Sequence, residues 1–332
     1  MELSTEEVDP FRDARVTRIP GAQKNDFNFQ ARSFGQEGDE ERKLKTVSGL
    51  SSNSKGHFTV GDNEDCIVRI FDRNGKFLHS LFSLNRDENT NVYGICDVAT
   101  DQNDNVYVLV TLEKKATELV RGVYVFDQDN NLRHRFSLSA RFRGYALTVE
   151  ESSKTVFVLG AYWSPEWENV SFDHNHRCAV EVYETNGGFL RNFVVHGTIF
   201  SLLDITACND GRVLVLTTDC VQVFSAQGVL QHKWSKVAEE KNVTHSLYSQ
   251  KFHSANEHVF IVTNILECVF PELKRRCFVS IYTVDGEHLY SIHLNSPQTK
   301  VTTIEMTVTV SGRIAVAYNH YYQGRQAEIR VL

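Results

Sequence analysis

The sequence predicts an all-β chain: a six-bladed β-propeller of four-stranded antiparallel blades, closed by an N-terminal strand that completes the last blade. Three observations carry that expectation. A short apolar strand recurs six times, each copy is bracketed by turns that favour positive φ, and the chain stops one strand short of a sixth unit while holding a spare strand near its start.

The recurring strand reads Val68-Arg69-Ile70-Phe71, then Val123-Tyr124-Val125-Phe126, Val180-Glu181-Val182-Tyr183, Val221-Gln222-Val223-Phe224, Val279-Ser280-Ile281-Tyr282 and Ile329-Arg330-Val331-Leu332. Strict alternation of this kind is the period-2 mark of a strand. The first five copies run into Arg73-Asn74-Gly75, Asp129-Asn130-Asn131, Asn186-Gly187-Gly188, Ala226-Gln227-Gly228 and Val284-Asp285-Gly286, residues that tolerate the left-handed conformation of tight hairpins. A second hairpin precedes each copy, with turns such as Asn103-Asp104-Asn105 and Asn209-Asp210-Gly211 feeding Val106-Tyr107-Val108 and Val213-Leu214-Val215. From Phe71 to Val331 the copies are 55, 57, 41, 58 and 49 residues apart, a ragged period near fifty that fits propeller blades and is far too long for a β-helix.

The sixth copy ends the chain without its outer strand. Residues 27–34, FNFQARSF, have the alternation to supply it, which would close the ring and leave no open sheet edge. The expected organisation is a polar lead-in over residues 1–25 and a propeller over 26–332.

Composition narrows the function. The chain has 332 residues, is 41% hydrophobic and carries a formal charge of −7, so a chain-wide electrostatic case for DNA, RNA or an anionic membrane is missing. No apolar run is long enough to span a bilayer and the first residues are charged, so neither membrane association nor a secretory signal is expected, and the expected compartment is the cytoplasm. Seven cysteines, an odd number with no CxxC pair, match neither a disulfide framework nor a zinc ribbon and fit reduced interior thiols. Nor is there a P-loop, a GxSxG elbow or a GxGxxG turn. The expectation is therefore that the chain is not an enzyme and needs no cofactor.

Two stretches resemble a known family. Gly94-Ile95 through Asp101-Gln102-Asn103-Asp104-Asn105-Val106-Tyr107-Val108, and Ile67-Val68-Arg69-Ile70-Phe71-Asp72-Arg73-Asn74-Gly75-Lys76-Phe77-Leu78, look like the NHL repeat found in the C-terminal propellers of tripartite-motif proteins. Ser33-Phe34-Gly35-Gln36-Glu37-Gly38 is similar to that family's closing strand. The resemblance spans roughly residues 26–332 and implies an interaction propeller that recognises substrates in a tripartite-motif-like E3 ubiquitin ligase system, leading to polyubiquitination and proteasomal degradation. The sequence departs from the pattern in the short loop that carries the family's signature, and its cysteine spacing builds no RING or B-box. Ligase activity is therefore expected only from a longer product or a partner.

Strand order places the short hairpin turns on one face of the ring and the longer connections on the other, and variable loops on a rigid scaffold are the usual seat of recognition. Candidate partner-binding residues on that second face are Lys114, Lys115, Arg141, Arg143, Trp163, Trp167, His174, His176, Lys274, Arg275, Arg276, His320, Tyr321, Tyr322 and Arg325. Trp, Tyr and Arg are enriched in protein-binding hot spots, so a protein partner is expected. The alternative is an RNA-binding post-transcriptional regulator that stacks bases on Tyr321 and Tyr322 beside the same cations, as some members of the family do. Asp62, Glu64, Asp65, Glu166, Glu168 and Asp173 on that face oppose it. A third alternative is a calcium-dependent propeller hydrolase. Counting nine residues back from each second strand reaches Gly49, Asp97, Leu147, Asp204, Gln250 and Glu305, a ring whose Asp97, Asp204, Gln250 and Glu305 offer oxygen ligands of the type calcium takes.

Overall fold

A computed structural model describes residues 32–35, 43–83, 90–114, 118–150, 152–162, 177–235, 245–255, 258–269, 272–294, 301–320 and 326–331. Blade one comprises β2 (Val47–Ser52), β3 (Phe58–Asp62), β4 (Ile67–Phe71) and β5 (Phe77–Ser83). Blade two is β6 (Thr90–Thr100), β7 (Val106–Lys114), β8 (Glu118–Phe126) and β9 (Leu132–Ser137), and blade three β10 (Phe142–Glu150), β11 (Thr155–Tyr162), β12 (Arg177–Glu184) and β13 (Phe189–Val194). Blade four is β14 (Leu202–Ala207), β15 (Val213–Thr217), β16 (Cys220–Phe224) and β17 (Leu230–Ser235), and blade five β18 (His245–Ala255), β19 (His258–Val269), β20 (Glu272–Thr283) and β21 (His288–Leu294). Blade six joins β22 (Val301–Val308), β23 (Ile314–His320) and β24 (Gln326–Val331) to β1 (Arg32–Phe34), which pairs antiparallel with β24. The expected six-bladed, all-β ring is observed, with the N-terminal strand closing it.

Burial follows from the stacking of blades face to face. The middle strands touch a neighbour on either side, so β3 and β15 are buried at every residue, while outer strands such as β9 alternate exposed and half-buried positions. The apolar core is correspondingly divided into six wedges, one at each junction between adjacent blades.

At the closing junction the Phe34 ring lies 5.1 Å from Phe71 and 5.6 Å from Phe58, centroid to centroid. Gly75 faces it with φ of +83°, and a Cβ there would run into the Phe34 ring, so the turn needs glycine for both conformation and space. Asn319, buried in β23, accepts the Val47 N–H at 2.8 Å and donates to the Val47 carbonyl at 2.7 Å, binding blade six to blade one. Elsewhere Trp234 donates from Nε1 to the Val284 carbonyl at 3.1 Å, tying blade four to blade five.

Two of the connections between second and third strands are strand for most of their length. β7 and β8 remain paired out to Lys114 and Glu118, and β19 and β20 out to Val269 and Glu272. Lys114, Lys274, Arg275 and Arg276 are therefore strand residues of projecting hairpins, as is His320 at the end of β23. Charge density in those stretches resembles a loop, but a backbone ladder continues wherever N–H and C=O groups can pair, whatever the side-chain charge. Among the described residues no helix is long and apolar enough to cross a membrane.

Candidate functional site

The inner strands β2, β6, β10, β14, β18 and β22 all start on one face of the ring and end on the other. On the face where they end, the turns are tight and internally hydrogen-bonded: Asp101 accepts the backbone N–H groups of Asn103 and Asn105 at 3.0 and 2.8 Å, and Asp127 does the same for Asp129 and Asn131 at 3.0 and 2.9 Å. The projecting hairpins and the connections between blades occupy the opposite face. Of the expected partner-binding residues, Lys115, Trp163, Trp167, His174, His176, Tyr321, Tyr322 and Arg325 lie outside the described residues. Arg141 and Arg143 are described, and both are exposed on this face.

Arg141 occupies the link between β9 and β10. Its φ of +67° is uncommon for a side chain that is not Gly, Asn or Asp, and the turn is closed by the Phe142 N–H donating to the Ser139 carbonyl at 3.0 Å. Below the turn, the Ser139 N–H donates to Tyr183 Oη at 3.2 Å and to Glu181 Oε2 at 3.3 Å. Glu181 is fully buried and accepts the Tyr162 and Tyr183 hydroxyls at 2.7 and 2.5 Å. Burial, followed by the hydrogen bond and charge of Glu181, pushes the Tyr162 phenol up to about 12 and raises Tyr183 as well, so both remain donors. This carboxylate is thus committed to tyrosines within its own blade.

The turn abuts a junction between blades two and three where a group of polar side chains meets. Arg121 of β8 donates from Nη1 to the Phe142 carbonyl at 3.3 Å, and the Leu138 N–H donates to the Arg121 carbonyl at 3.0 Å. Arg143 lies over the Tyr145 ring, 5.6 Å from its centroid. On the blade-two side Cys96 and Thr111 are 3.4 Å apart, sulfur to hydroxyl. Burial and then the neighbouring Arg143 charge push Arg121 below its ordinary value, and burial raises the Cys96 thiol and the Tyr145 phenol. Arg143 was singled out in the sequence; Arg121 and Tyr145 were not. The available signal for Arg121 was a cation inside the apolar strand Leu119-Val120-Arg121-Gly122-Val123.

The three acidic positions of the inner-strand ring come together on the central channel. Asp97, Asp204 and Glu305 line a central cavity of about 430 Å³ that runs toward the tight-turn face and is bounded there by Ser54, Gln102 and Asn209. Asp97 accepts the Leu147 N–H of the next blade at 2.9 Å through Oδ2 and its own neighbour's Val98 N–H at 2.8 Å through Oδ1. Asp204 accepts Ile205 N–H at 2.9 Å in the same way. Gly49 belongs to this arrangement because a Cβ there would sit 2.5 Å from Val98 N and 2.8 Å from Asp97 Oδ1. The Gln250 side chain lies outside the described ones. Among the described residues no group of three or more His, Cys, Asp or Glu is arranged to hold a metal ion. Six described cysteines are free thiols, and burial pushes Cys178 up to about 11 and Cys277 up to about 12.

No family model matches the chain, and no curated protein matches it in sequence. Solved structures do. The chain is similar to a gluconolactonase from Xanthomonas campestris (11% identity, 90% of this chain and 89% of that one, TM-score 0.54). It is also similar to a streptogramin B lyase (7% identity, 86% and 93% covered, TM-score 0.51) and to hydrazine synthase from Kuenenia stuttgartiensis (12% identity, 85% and 79% covered, TM-score 0.52). At these identities the likeness is one of fold. It nevertheless corrects the expectation that the chain is not an enzyme: proteins described as a lyase and a gluconolactonase share this fold, so the absence of a P-loop or a GxSxG elbow excludes no chemistry here.

Proposed function

We propose that the chain is a protein-interaction module of the NHL-propeller type, whose residues 26–332 form the ring and whose partner face is the one that carries the inter-blade connections and projecting hairpins. The observation behind it is the contrast between the two faces. The turns of one face have their polar groups satisfied internally, whereas the other presents Arg141 in a left-handed turn and an exposed Arg143 over the Tyr145 ring. The motif resemblance extends the proposal to substrate recognition in a tripartite-motif-like ubiquitin ligase system, with the ligase supplied by a longer product or a partner.

Affinity purification tests it. The full chain and a Trp163→Ala, Trp167→Ala, Arg275→Ala, Arg276→Ala variant are used as baits, with both proteins and RNA scored. Proteins captured by the full chain and lost with the variant support the module. A capture dominated by RNA and abolished by moderate salt supports the regulator reading instead, because phosphate contacts weaken steeply as counterions compete. An unchanged protein list overturns the proposed face.

A further inference from the structure

We propose that the junction between blades two and three carries an oxyanion site that takes the carboxylate of an acidic side chain on a partner protein, held by Arg121 and Arg143. It rests on the interaction-module reading and names the chemistry that one part of the face would recognise.

Three arginines of this molecule are held by acids, whereas Arg191, like Arg121, donates to a backbone carbonyl and keeps an enclosed Nε without a partner. Arg69 meets Asp62 at 2.9 Å and Asp65 at 2.7 Å, Arg212 meets Asp210 at 2.7 Å and Asp285 at 2.8 Å, and Arg330 meets Glu328 at 2.7 Å. Arg121 and Arg143 have no such partner among the described residues. Arg121 Nη1 rests on the carbonyl of Phe142, the residue before Arg143, and the charge of Arg143 lowers the proton affinity of Arg121. The nearby buried acid of blade three, Glu181, is committed to Tyr162, Tyr183 and Ser139. A half-buried guanidinium with no acid partner among the described residues is incompletely compensated for its lost hydration, and a bound anion reduces that cost.

The junction is also short of acceptors. Arg121 Nε and Tyr145 Oη are enclosed and have no hydrogen-bond partner. Each is a donor, because the guanidinium stays charged and burial keeps the phenol protonated. Arg121 is half-buried, with Nη1 on the Phe142 carbonyl, which leaves its other terminal nitrogen and the exposed Arg143 fork to meet an oxyanion.

The charge balance selects the anion. Only Arg121 is substantially desolvated, while Arg143 is exposed and screened by salt, so the site presents about one effective positive charge and matches a monoanionic carboxylate. A phosphate dianion or a polyanion would have to approach a protein whose formal charge is −7.

Fluorescence anisotropy with synthetic probes tests the site. Three labelled glycine-rich peptides are compared on the full chain: one with a single glutamate, the same peptide with glutamine in its place, and the same peptide with phosphoserine in its place. The glutamate peptide is expected to bind about tenfold more tightly than the glutamine peptide. Arg121→Met is expected to erase most of that preference and Arg143→Gln to reduce it about threefold, while Arg133→Gln, an exposed control on β9, leaves it unchanged. Melting curves confirm that each variant is folded, and Arg143→Gln, an exposed change, keeps the test informative if Arg121→Met is not. Equal binding of the glutamate and glutamine peptides, or a preference confined to phosphoserine, overturns the proposal. If the purification experiment still returns a stable protein list in that case, the interaction module stands and only its acidic anchor fails.

Discussion

Arg69 and Arg121 both interrupt an apolar third strand of a blade, yet their surroundings differ in kind. Arg69 is 1% exposed and bridges Asp62 and Asp65, with Lys45 Nζ adding a 2.7 Å contact to Asp65 and the Lys45 and Thr46 N–H groups adding bonds to Asp62 at 2.8 and 3.2 Å. Arg121 donates to one carbonyl and faces a second arginine. The first is a buried ion network whose charges and donors answer one another, which is how a desolvated charge is tolerated. Among the described residues the second has no acid partner, the condition expected of a binding site rather than of a lock.

Breaking the lock should give the largest effect. Asp62→Ala leaves the Arg69 guanidinium buried beside a half-removed network, and we expect a loss of about 3–5 kcal/mol in chemical denaturation. A loss below about 1 kcal/mol would show that water enters and that Arg69 is no lock. The closing junction comes next. Phe34→Ala removes a ring that contacts Phe58 and Phe71 and should cost about 2–3 kcal/mol, and Asn319→Ala, which strands the Val47 N–H and C=O, about 2 kcal/mol. If the ring is one cooperative unit, either change should shift the melting of the whole molecule rather than release a separate early transition.

Replacing the arginines sharpens the contrast directly. Arg69→Met should destabilise by about 3 kcal/mol because Asp62 is left buried without its cation, whereas Arg121→Met should be neutral or stabilising by about 1 kcal/mol. Equal losses at the two positions would erase the distinction between lock and site. The smallest effect is in acid. Burial raises the Asp65 carboxyl, but the hydrogen bonds and charges of Lys45 and Arg69 outweigh it and hold it below the ordinary 3.8. A depressed folded value stabilises the fold above 3.8 and that contribution disappears as pH falls through the folded value, so Asp65→Asn should flatten only the acid limb of a stability profile. Relative to the wild type the variant should be less stable at neutral pH and converge with it in acid; a difference that persists unchanged at low pH would contradict the assignment.

Much of the ring was legible in the sequence. Alternating strands, turn residues at Asn74-Gly75 and Asn186-Gly187, and the spare strand ahead of blade one all act within a few residues of chain, and the observed blades follow them. The projecting hairpins were not legible, because Lys114 and Lys274 to Arg276 look like loop residues to any rule that weighs charge above pairing. The acid ring was partly legible: a constant offset along the inner strands found Asp97, Asp204 and Glu305 on the channel, but could not show that Asp97 is engaged by the Leu147 amide of the next blade. The same limit applied to the junction between blades two and three, where Arg143 stood out as a surface cation and Arg121 looked like one more irregularity in an apolar strand.

The sequence by itself determined the strand pattern, the number of blades and the way the ring closes, because hydrophobic alternation and turn conformation are local properties of the chain. Only the tertiary structure decided which arginine is neutralised and which is not. Arg69 meets acids from its own blade, a few residues away at Asp62 and Asp65, while the surroundings of Arg121 are built by Phe142, Arg143 and Tyr145 of the neighbouring blade. The packing of one blade on the next sets those contacts, and Coulomb and desolvation energies depend on that distance in space rather than on separation along the chain.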